Sequence, residues 1–516
     1  MEAKNSWRDI RSRRFALTTK VGLSTPLYLQ PLTQIPGIRA RKKFFLTLAK
    51  CLLKFGAPSH RIGSQLNDIA ETLLLNHTLL HLPGVVVISF RDTTTGTNEV
   101  HIVRAAGRVA LSTLEKVYII FHYVNEDEML PSEATTQLEE LLAAPPIYPL
   151  WLRCLLSFFS ATLICSLAFG GSILDCVVGG VFACCLQFLG LKGASNSTIY
   201  ANVYEVTGCV LISFITRLLA SLPGRLFCYN AVASAAITVI LPGFTILTAA
   251  LETSSKNITC GAVRLVYAII YTFILGFGLT IGSEFYLLFN ESAATKTDGL
   301  AVTRTIEYLT GLFIPLNVMH MVKGMCHSGR VRRRPLNVCL STRLGCYRDP
   351  SWHWWRKPLP AYTMLFLVPI YSFLATMVNL QSYHSRHTPV MVVFSCLAYT
   401  ANKGASVISD RVYVSSSVGA LVIGICGNVY GRFSRGGSYT SAVPGLMFLL
   451  PSALGLEGGL LSPYSSSTTA ESAYFGSFSL GLRMIQVSVG ITIGLFISQI
   501  AVFSIKRENK VVAVAA

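Results

Sequence analysis

From Trp151 onward the chain alternates long, nearly uninterrupted apolar runs with short polar connections. Runs at about 151–169, 172–191, 202–221, 230–250 and 263–288 approach or exceed the length a helix needs to bridge a bilayer's hydrocarbon core. A second set begins near Tyr362, with runs at about 362–379, 388–402, 411–427, 437–456 and 484–504. Backbone polar groups at membrane depth must find partners inside their own segment, so helices are the expected form. The pattern predicts about ten crossings, in units covering 143–291 and 362–505 and joined by a basic loop over 292–361.

Before Trp151 the apolar residues are spaced instead of massed. Residues 42–142 predict a small soluble α/β domain behind a basic tail over 1–41. An apolar-periodic stretch from Phe44 to Phe55 reaches the breaker Gly56-Ala57-Pro58, and Pro58 or Ser59 opens a second helix to about Leu74. Val85–Phe90 and Glu99–Val103 read as two strands around a turn, and a helix is expected over Ser112–Tyr123. The acidic run from Asn125 to Glu140 reads as surface, Ala143-Ala144-Pro145-Pro146 closes the domain, and 506–516 is a tail.

Composition agrees with lipid as solvent. Of 516 residues, 52% are hydrophobic and 13% charged, too apolar for a soluble chain of this size. The net charge of +18 gathers in flanking clusters such as Arg39, Arg41, Lys42, Lys43 and Arg332, Arg333, Arg334, which points to membrane surfaces and away from nucleic acid. The 14 cysteines follow no repeated CxxC spacing and many sit in apolar runs, so they are expected as small buried hydrophobes and not as disulfides or metal ligands. No cleaved signal is visible near the start. No Walker, dinucleotide, HExxH or nucleophile-elbow motif stands in a credible context, so no ATP-driven pump, enzyme, cofactor or metal site is expected.

The two apolar sets resemble each other. Leu241-Pro242-Gly243-Phe244 recurs as Val443-Pro444-Gly445-Leu446 at the same rank, and Val203-Tyr204 has a counterpart in Val412-Tyr413. Two duplicated units with an odd number of crossings enter the membrane in opposite senses, giving two five-helix inverted repeats. Positive-inside logic puts the N-terminal domain in the cytosol. Five crossings then carry the basic stretch 323–357 to the far side unless a partial segment around Leu309–Val322 returns it.

Four acids are candidates for transport or proton coupling. Asp175 and Glu205 interrupt apolar sequence near helix starts, Glu252 lies in the polar connection Leu251–Asn257, and Asp410 precedes the eighth run. An acid at membrane depth either lines a cavity or relays protons, or it is an interfacial carboxylate at a helix end. Candidates for substrate binding or gating are Arg225, Pro242, Gly243, Lys256, Asn257, Arg432, Pro444 and Gly445. The Pro-Gly pairs break or kink helices, and such a break offers one partly positive and one partly negative end. Gly276, Gly278 and Gly282, like Ala420, Gly424 and Gly427, suit close helix packing.

These residues resemble the threonine/serine exporter family, in particular its fused eukaryotic branch typified by a fungal pheromone-regulated membrane protein. The resemblance rests on Phe55-Gly56-Ala57-Pro58-Ser59-His60-Arg61, Leu82-Pro83-Gly84, Asn202-Val203-Tyr204-Glu205, Leu241-Pro242-Gly243, Lys256-Asn257-Ile258, Gly261-Ala262-Val263-Arg264-Leu265 and Asn428-Val429-Tyr430-Gly431-Arg432. It implies proton-driven secondary export of a small hydrophilic metabolite such as threonine or serine. Small dicarboxylates, or a non-transporting scaffold or fusion-associated role, remain the alternatives. Homo-oligomerisation is left open. One departure stands out: Gly63 occupies a position where the family commonly has a glutamate.

Overall fold

The computed structural model describes residues 37–91, 96–105, 107, 109–193, 198–224, 226–290, 352–409, 411–431, 437–456 and 470–505. The N-terminal domain contains α1 (Ile38–Lys54), α2 (Ser59–Leu73), β1 (His77–Leu82), β2 (Val85–Arg91), β3 (Asn98–Arg104), α3 (Leu111–Asn125) and α4 (Pro131–Ala143). The strands form an antiparallel meander in the order β1-β2-β3, with His77 opposite Phe90 and Val85 opposite Arg104. Phe44, Phe45, Leu48 and Leu52 of α1, Ile62, Leu66 and Ile69 of α2, Ile88 of β2 and Leu114 and Val117 of α3 are all buried. That shared interior orders a domain whose single strands and helices would be marginal alone.

Two features of this domain depart from the pattern reading. β1 is a third strand where two were expected: its His-Thr-Leu-Leu-His-Leu sequence lacks clean alternation, and pairing with β2 holds it. The acidic run contains α4, because Ala134, Thr135 and Leu138 form a buried stripe under the charges.

The helical bundle follows in two sets. The first contains α5 (Leu150–Leu167), α6 (Ile173–Gly193), α7 (Thr198–Ser221), α8 (Tyr229–Ile237), α9 (Gly243–Ser254) and α10 (Ile258–Phe289). The second contains α11 (Met364–Val378), α12 (Thr388–Ile408), α13 (Val412–Tyr430), α14 (Gly437–Leu456) and α15 (Ala470–Ile505). Among the described residues seven helices are long and apolar enough to cross a membrane: α5, α6, α7, α10, α12, α13 and α15. On α10, Val263, Val266, Tyr267, Ile270, Ile274, Ile281 and Phe285 are exposed. Their three-and-four spacing makes one apolar stripe, as a lipid-facing helix requires. The chain is therefore a multi-pass integral membrane protein.

Glycine lets two helix pairs approach closely. A Cβ at Gly282 of α10 would lie 2.8 Å from Ser213 Cβ of α7, and one at Gly278 would lie 3.2 Å from Cys209 Cβ. In the second set a Cβ at Gly490 of α15 would lie 3.0 Å from Ser416 Cβ of α13, and one at Gly494 would lie 2.8 Å from Ala420 Cβ. Each pair advances in step, so α7 runs parallel to α10 and α13 parallel to α15.

The Pro-Gly pairs do not behave alike. At the first, the helix ends at Ile237 and resumes at Gly243, with Pro242 ahead of the new helix. At the second, Pro444 and Gly445 lie inside the continuous α14, together with Pro451. Of the expected alternatives, the first pair breaks its helix and the second sits within an uninterrupted one. Cysteine use also departs in one place: among the described residues ten cysteines are in no disulfide, yet Cys228 is disulfide-bonded. The tails over 1–36 and 506–516, the 309–322 segment and the basic stretch up to Ser351 lie outside the described residues.

Candidate functional site

The N-terminal domain meets the bundle through the chain reversal between α1 and α2. Gly56 takes φ +86°, where a side chain would be strained, and Pro58 precedes α2 without capping it. The first turn of any helix carries N–H groups with no partner inside the helix. Here the bundle supplies one: Glu252 Oε1, on α9, accepts the Ser59 N–H at 2.9 Å. Glu252 is fully buried, and its Oε2 lies 3.2 Å from Arg264 Nε of α10. This is an ion pair by distance, though the two atoms are not aligned as a hydrogen bond. Asn257 Nδ2 donates to Ser59 Oγ at 3.0 Å, completing the α2 contact from the α9–α10 turn.

The same reversal grips the second set. Arg61 donates to Ser438 Oγ at 2.9 Å, and its guanidinium carbon lies 5.4 Å from the centre of the Tyr439 ring. Tyr439 OH donates to the Gly56 carbonyl at 3.3 Å. Seven consecutive residues, 55–61, thus bridge α9 and α14. His60 stands among them with both ring nitrogens buried and unpartnered. Burial, then the charge of Arg61 and then His81, pushes the His60 pKa down to about 3. Burial, then Arg264, lowers His81 to about 4. Both imidazoles are neutral at ordinary pH, which suits a cleft already holding two guanidinium groups.

A second seam joins α3 to the second set. The Leu111 and Ser112 N–H groups donate to the Asn379 and Leu380 carbonyls at 3.2 and 3.4 Å, so one helix start meets the end of α11. Glu115 follows one turn later, accepting from Gln381 Nε2 at 3.1 Å and lying 3.1 Å from His387 Nε2, whose Nδ1 is 2.6 Å from Tyr430 OH.

The remaining sequence candidates separate. Asp175 is fully buried at the start of α6. Its Oδ2 accepts from the Ser172 N–H and hydroxyl at 2.9 and 2.8 Å, and its Oδ1 from the Cys228 N–H at 2.9 Å. This is a capping box that also fastens the approach to α8. Glu205, on α7, accepts from Tyr204 OH at 3.1 Å and from Tyr271 OH of α10. Lys256 is exposed in a left-handed turn at φ +64°. Gly243, at the broken helix, faces Leu450 of α14, where an added Cβ would stand 3.2 Å from Cδ1. Arg225, Asp410 and Arg432 lie outside the described residues.

The structure therefore assembles Glu252 and Asn257 with Ser59, Arg61, Arg264, Ser438 and Tyr439, and leaves Asp175 and Glu205 in separate helix contacts. Arg264 was not among the sequence candidates; the signal that could have found it is a lone cation in a long apolar run, a placement that usually marks a partnered or functional group. Ser438 and Tyr439 carried no comparable signal, because their role depends on a contact some 380 positions away in sequence.

Comparison with known proteins bears on this arrangement. Residues 43–286 match the family model of the threonine/serine exporter, a span that takes in the N-terminal domain and the first helical set. Pheromone-regulated membrane protein 10 of Debaryomyces hansenii is 30% identical over 493 residues, covering 92% of this chain and 43% of that protein. The protein of the same name from Eremothecium gossypii is 30% identical over 487 residues, covering 92% and 58%. An uncharacterized protein of Schizosaccharomyces pombe is 29% identical over 488 residues, covering 92% and 57%. The chain spans about half the length of these curated relatives. No solved structure matches it.

Proposed function

We propose, on the premise that residues 43–286 match the threonine/serine exporter model, that the chain is a proton-coupled secondary exporter of small amino acids such as threonine or serine. The observation that carries the reading is the interrupted α8–α9 element, with the buried Glu252 at the end where the N-terminal domain docks. Discontinuous helices expose backbone dipoles where a small zwitterion can be held, and they mark substrate sites in transporters built from repeats. Glu252 is the favoured coupling acid, since its charge holds both Arg264 and the α2 start, and a proton arriving there loosens both. Asp175 ties two helix starts together and Glu205 is held between two tyrosines, so the contacts of both stay within the first helical set and neither reaches the N-terminal domain.

On this reading α8 and α9 together make one crossing, and α11 and α14 complete ten. The parallel pairs α7–α10 and α13–α15 are then the third and fifth members of two inverted repeats. Sidedness follows from redox chemistry. Arg356 donates to the Gly224 carbonyl, and Cys228 is disulfide-bonded, at the bundle end away from the N-terminal domain. Disulfides persist in oxidising compartments, so that end faces outward or into a lumen and the N-terminal domain is cytosolic.

Efflux of labelled serine, threonine and succinate from vesicles containing the purified chain, with and without an imposed pH gradient, tests the reading. Gradient-stimulated efflux of an amino acid is expected. A folded protein that moves none of the three would favour the scaffold alternative.

A further inference from the structure

We infer that Arg217 anchors a binding site for a small carboxylate at the end of the bundle opposite the N-terminal domain. This rests on the exporter reading and names the charged contact its cargo would meet.

Arg217 lies near the end of α7 on the side facing α10. Its Nε donates to Ser283 Oγ at 2.8 Å, and its guanidinium carbon sits 4.4 Å from the centre of the Tyr229 ring at the start of α8. No described acid lies within ion-pair distance of it. A cation inside an apolar helix is normally paired with an anion, because desolvating it alone is costly. A serine hydroxyl and a ring face lessen that cost without supplying negative charge.

The guanidinium is oriented and only partly used. Nε is engaged, while the two terminal nitrogens have no protein hydrogen bond among the described residues. Neither is among the fully enclosed, unsatisfied atoms, so both keep some accessible surface. The free fork matches the two oxygens of a carboxylate. Its platform is fixed as well: Tyr229 OH lies 2.7 Å from Ser213 Oγ and donates to the Leu279 carbonyl at 3.4 Å. Rotamers locked before binding reduce the ordering cost of capture.

An arginine near a helix end can instead reach for lipid headgroups. The lipid-facing side of α7 is marked by the exposed Leu211, Ile215 and Leu218. Arg217 shares the other face with Ser213, turned to α8 and α10, which favours a ligand held between helices over a headgroup.

The test measures equilibrium binding of serine, threonine, succinate and serinol, an amino alcohol without a carboxylate, to the full chain in nanodiscs. It compares wild type with Arg217→Gln, Arg217→Lys and Ser283→Ala, using nanodiscs of phosphatidylcholine alone or with phosphatidylglycerol. At least one carboxylate should bind wild type, weaken about ten- to a hundredfold in Arg217→Gln, and weaken less in Arg217→Lys. Serinol should bind weakly and ignore the substitution. Ser283→Ala, which leaves the charge in place, should show an intermediate loss and keeps the test valid if Arg217→Gln does not fold. Absence of carboxylate binding to wild type, or equal affinity in the folded variants, overturns the site. So does an Arg217-dependent retention of phosphatidylglycerol with unchanged carboxylate affinity. Arg217-dependent binding of succinate alone would keep the site and sink the amino-acid reading.

Discussion

Replacing Glu252 should uncouple the N-terminal domain from the bundle before it unfolds either. The carboxylate accepts the first N–H of α2 at 2.9 Å and stands 3.2 Å from Arg264 Nε. Alanine removes both contacts and leaves the largely buried Arg264 unneutralised. Removing one partner of a buried pair costs about 3–5 kcal/mol. Glutamine keeps an oxygen for the Ser59 N–H but carries no charge, and neutral hydrogen bonds are roughly half as strong as charge-assisted ones, so about 1–2 kcal/mol should be lost. At about 1.4 kcal/mol per tenfold, hydrogen exchange in the first turn of α2 should quicken roughly five- to thirtyfold in Glu252→Gln. In Glu252→Ala the same amides should exchange more than about a hundredfold faster, while α7 and α10 keep their protection. Mass-spectrometric exchange on the protein in nanodiscs reads both. If the α2 start stays protected in a folded Glu252→Ala protein, the carboxylate does not hold the dock. If Glu252→Gln retains full gradient-driven efflux, Glu252 is not the coupling acid.

Acid should loosen the same dock through His60. Its folded pKa, about 3, lies below the ordinary 6.5; the unfolded chain therefore binds more protons in that interval, and the histidine's contribution, complete above about pH 6.5, is lost as pH falls towards 3. Thermal unfolding across this range should show the loss, and His60→Phe should reduce its slope, leaving the part that His81 contributes; an unchanged slope in that variant would assign the effect elsewhere. Gly63→Glu should raise stability by about 0.5–1 kcal/mol, because a Cβ there meets nothing within 4 Å and glycine is a poor helix former; a lowered melting temperature would refute this. Sidedness can be read by a membrane-impermeant maleimide after reduction, which should reach Cys228 only from the face opposite the N-terminal domain; labelling from the N-terminal-domain side would reverse the topology.

What could be read in advance was what depends on local pattern. Massed apolar runs located the bundle because their burial in lipid is set by composition over one helix length. The Gly56-Ala57-Pro58 reversal and the break at Pro242-Gly243 were visible because these residues restrict the backbone wherever they occur. At Pro444-Gly445 the choice between break and kink was not legible because it is tertiary: an added Cβ at Gly445 would stand 2.9 Å from Ile423 Cδ1 and 3.2 Å from the Ser395 backbone. The glycine there serves close packing against α12 and α13, and the helix continues around it. Cys228 misled because one cysteine in a turn does not reveal its disulfide partner. At Glu252 the acid was visible, but its partners were not, since Ser59 lies 193 residues away and belongs to a different domain.

The difference between the two Pro-Gly elements bears on how the bundle could move. Within the α8–α9 interruption, the Ile240 and Leu241 N–H groups return to the Ile237 carbonyl, and Gly243 N–H bonds to the Leu241 carbonyl at 2.7 Å. The interruption is thus held by short local bonds, which can be exchanged without unwinding a long helix. α14 stays helical through the matching pair and meets the interruption at Gly243 and Leu450. The N-terminal domain grips both elements, α9 through Glu252 and α14 through Ser438 and Tyr439. On the exporter reading, alternation is then a displacement of α9 against α14, and the 55–61 reversal is the clamp across that joint. Because the clamp engages Glu252 itself, a proton on that acid would, on the same reading, weaken the contact that restrains the motion. One carboxylate would thereby link the proton to the movement, with no second acid needed to carry the signal between them.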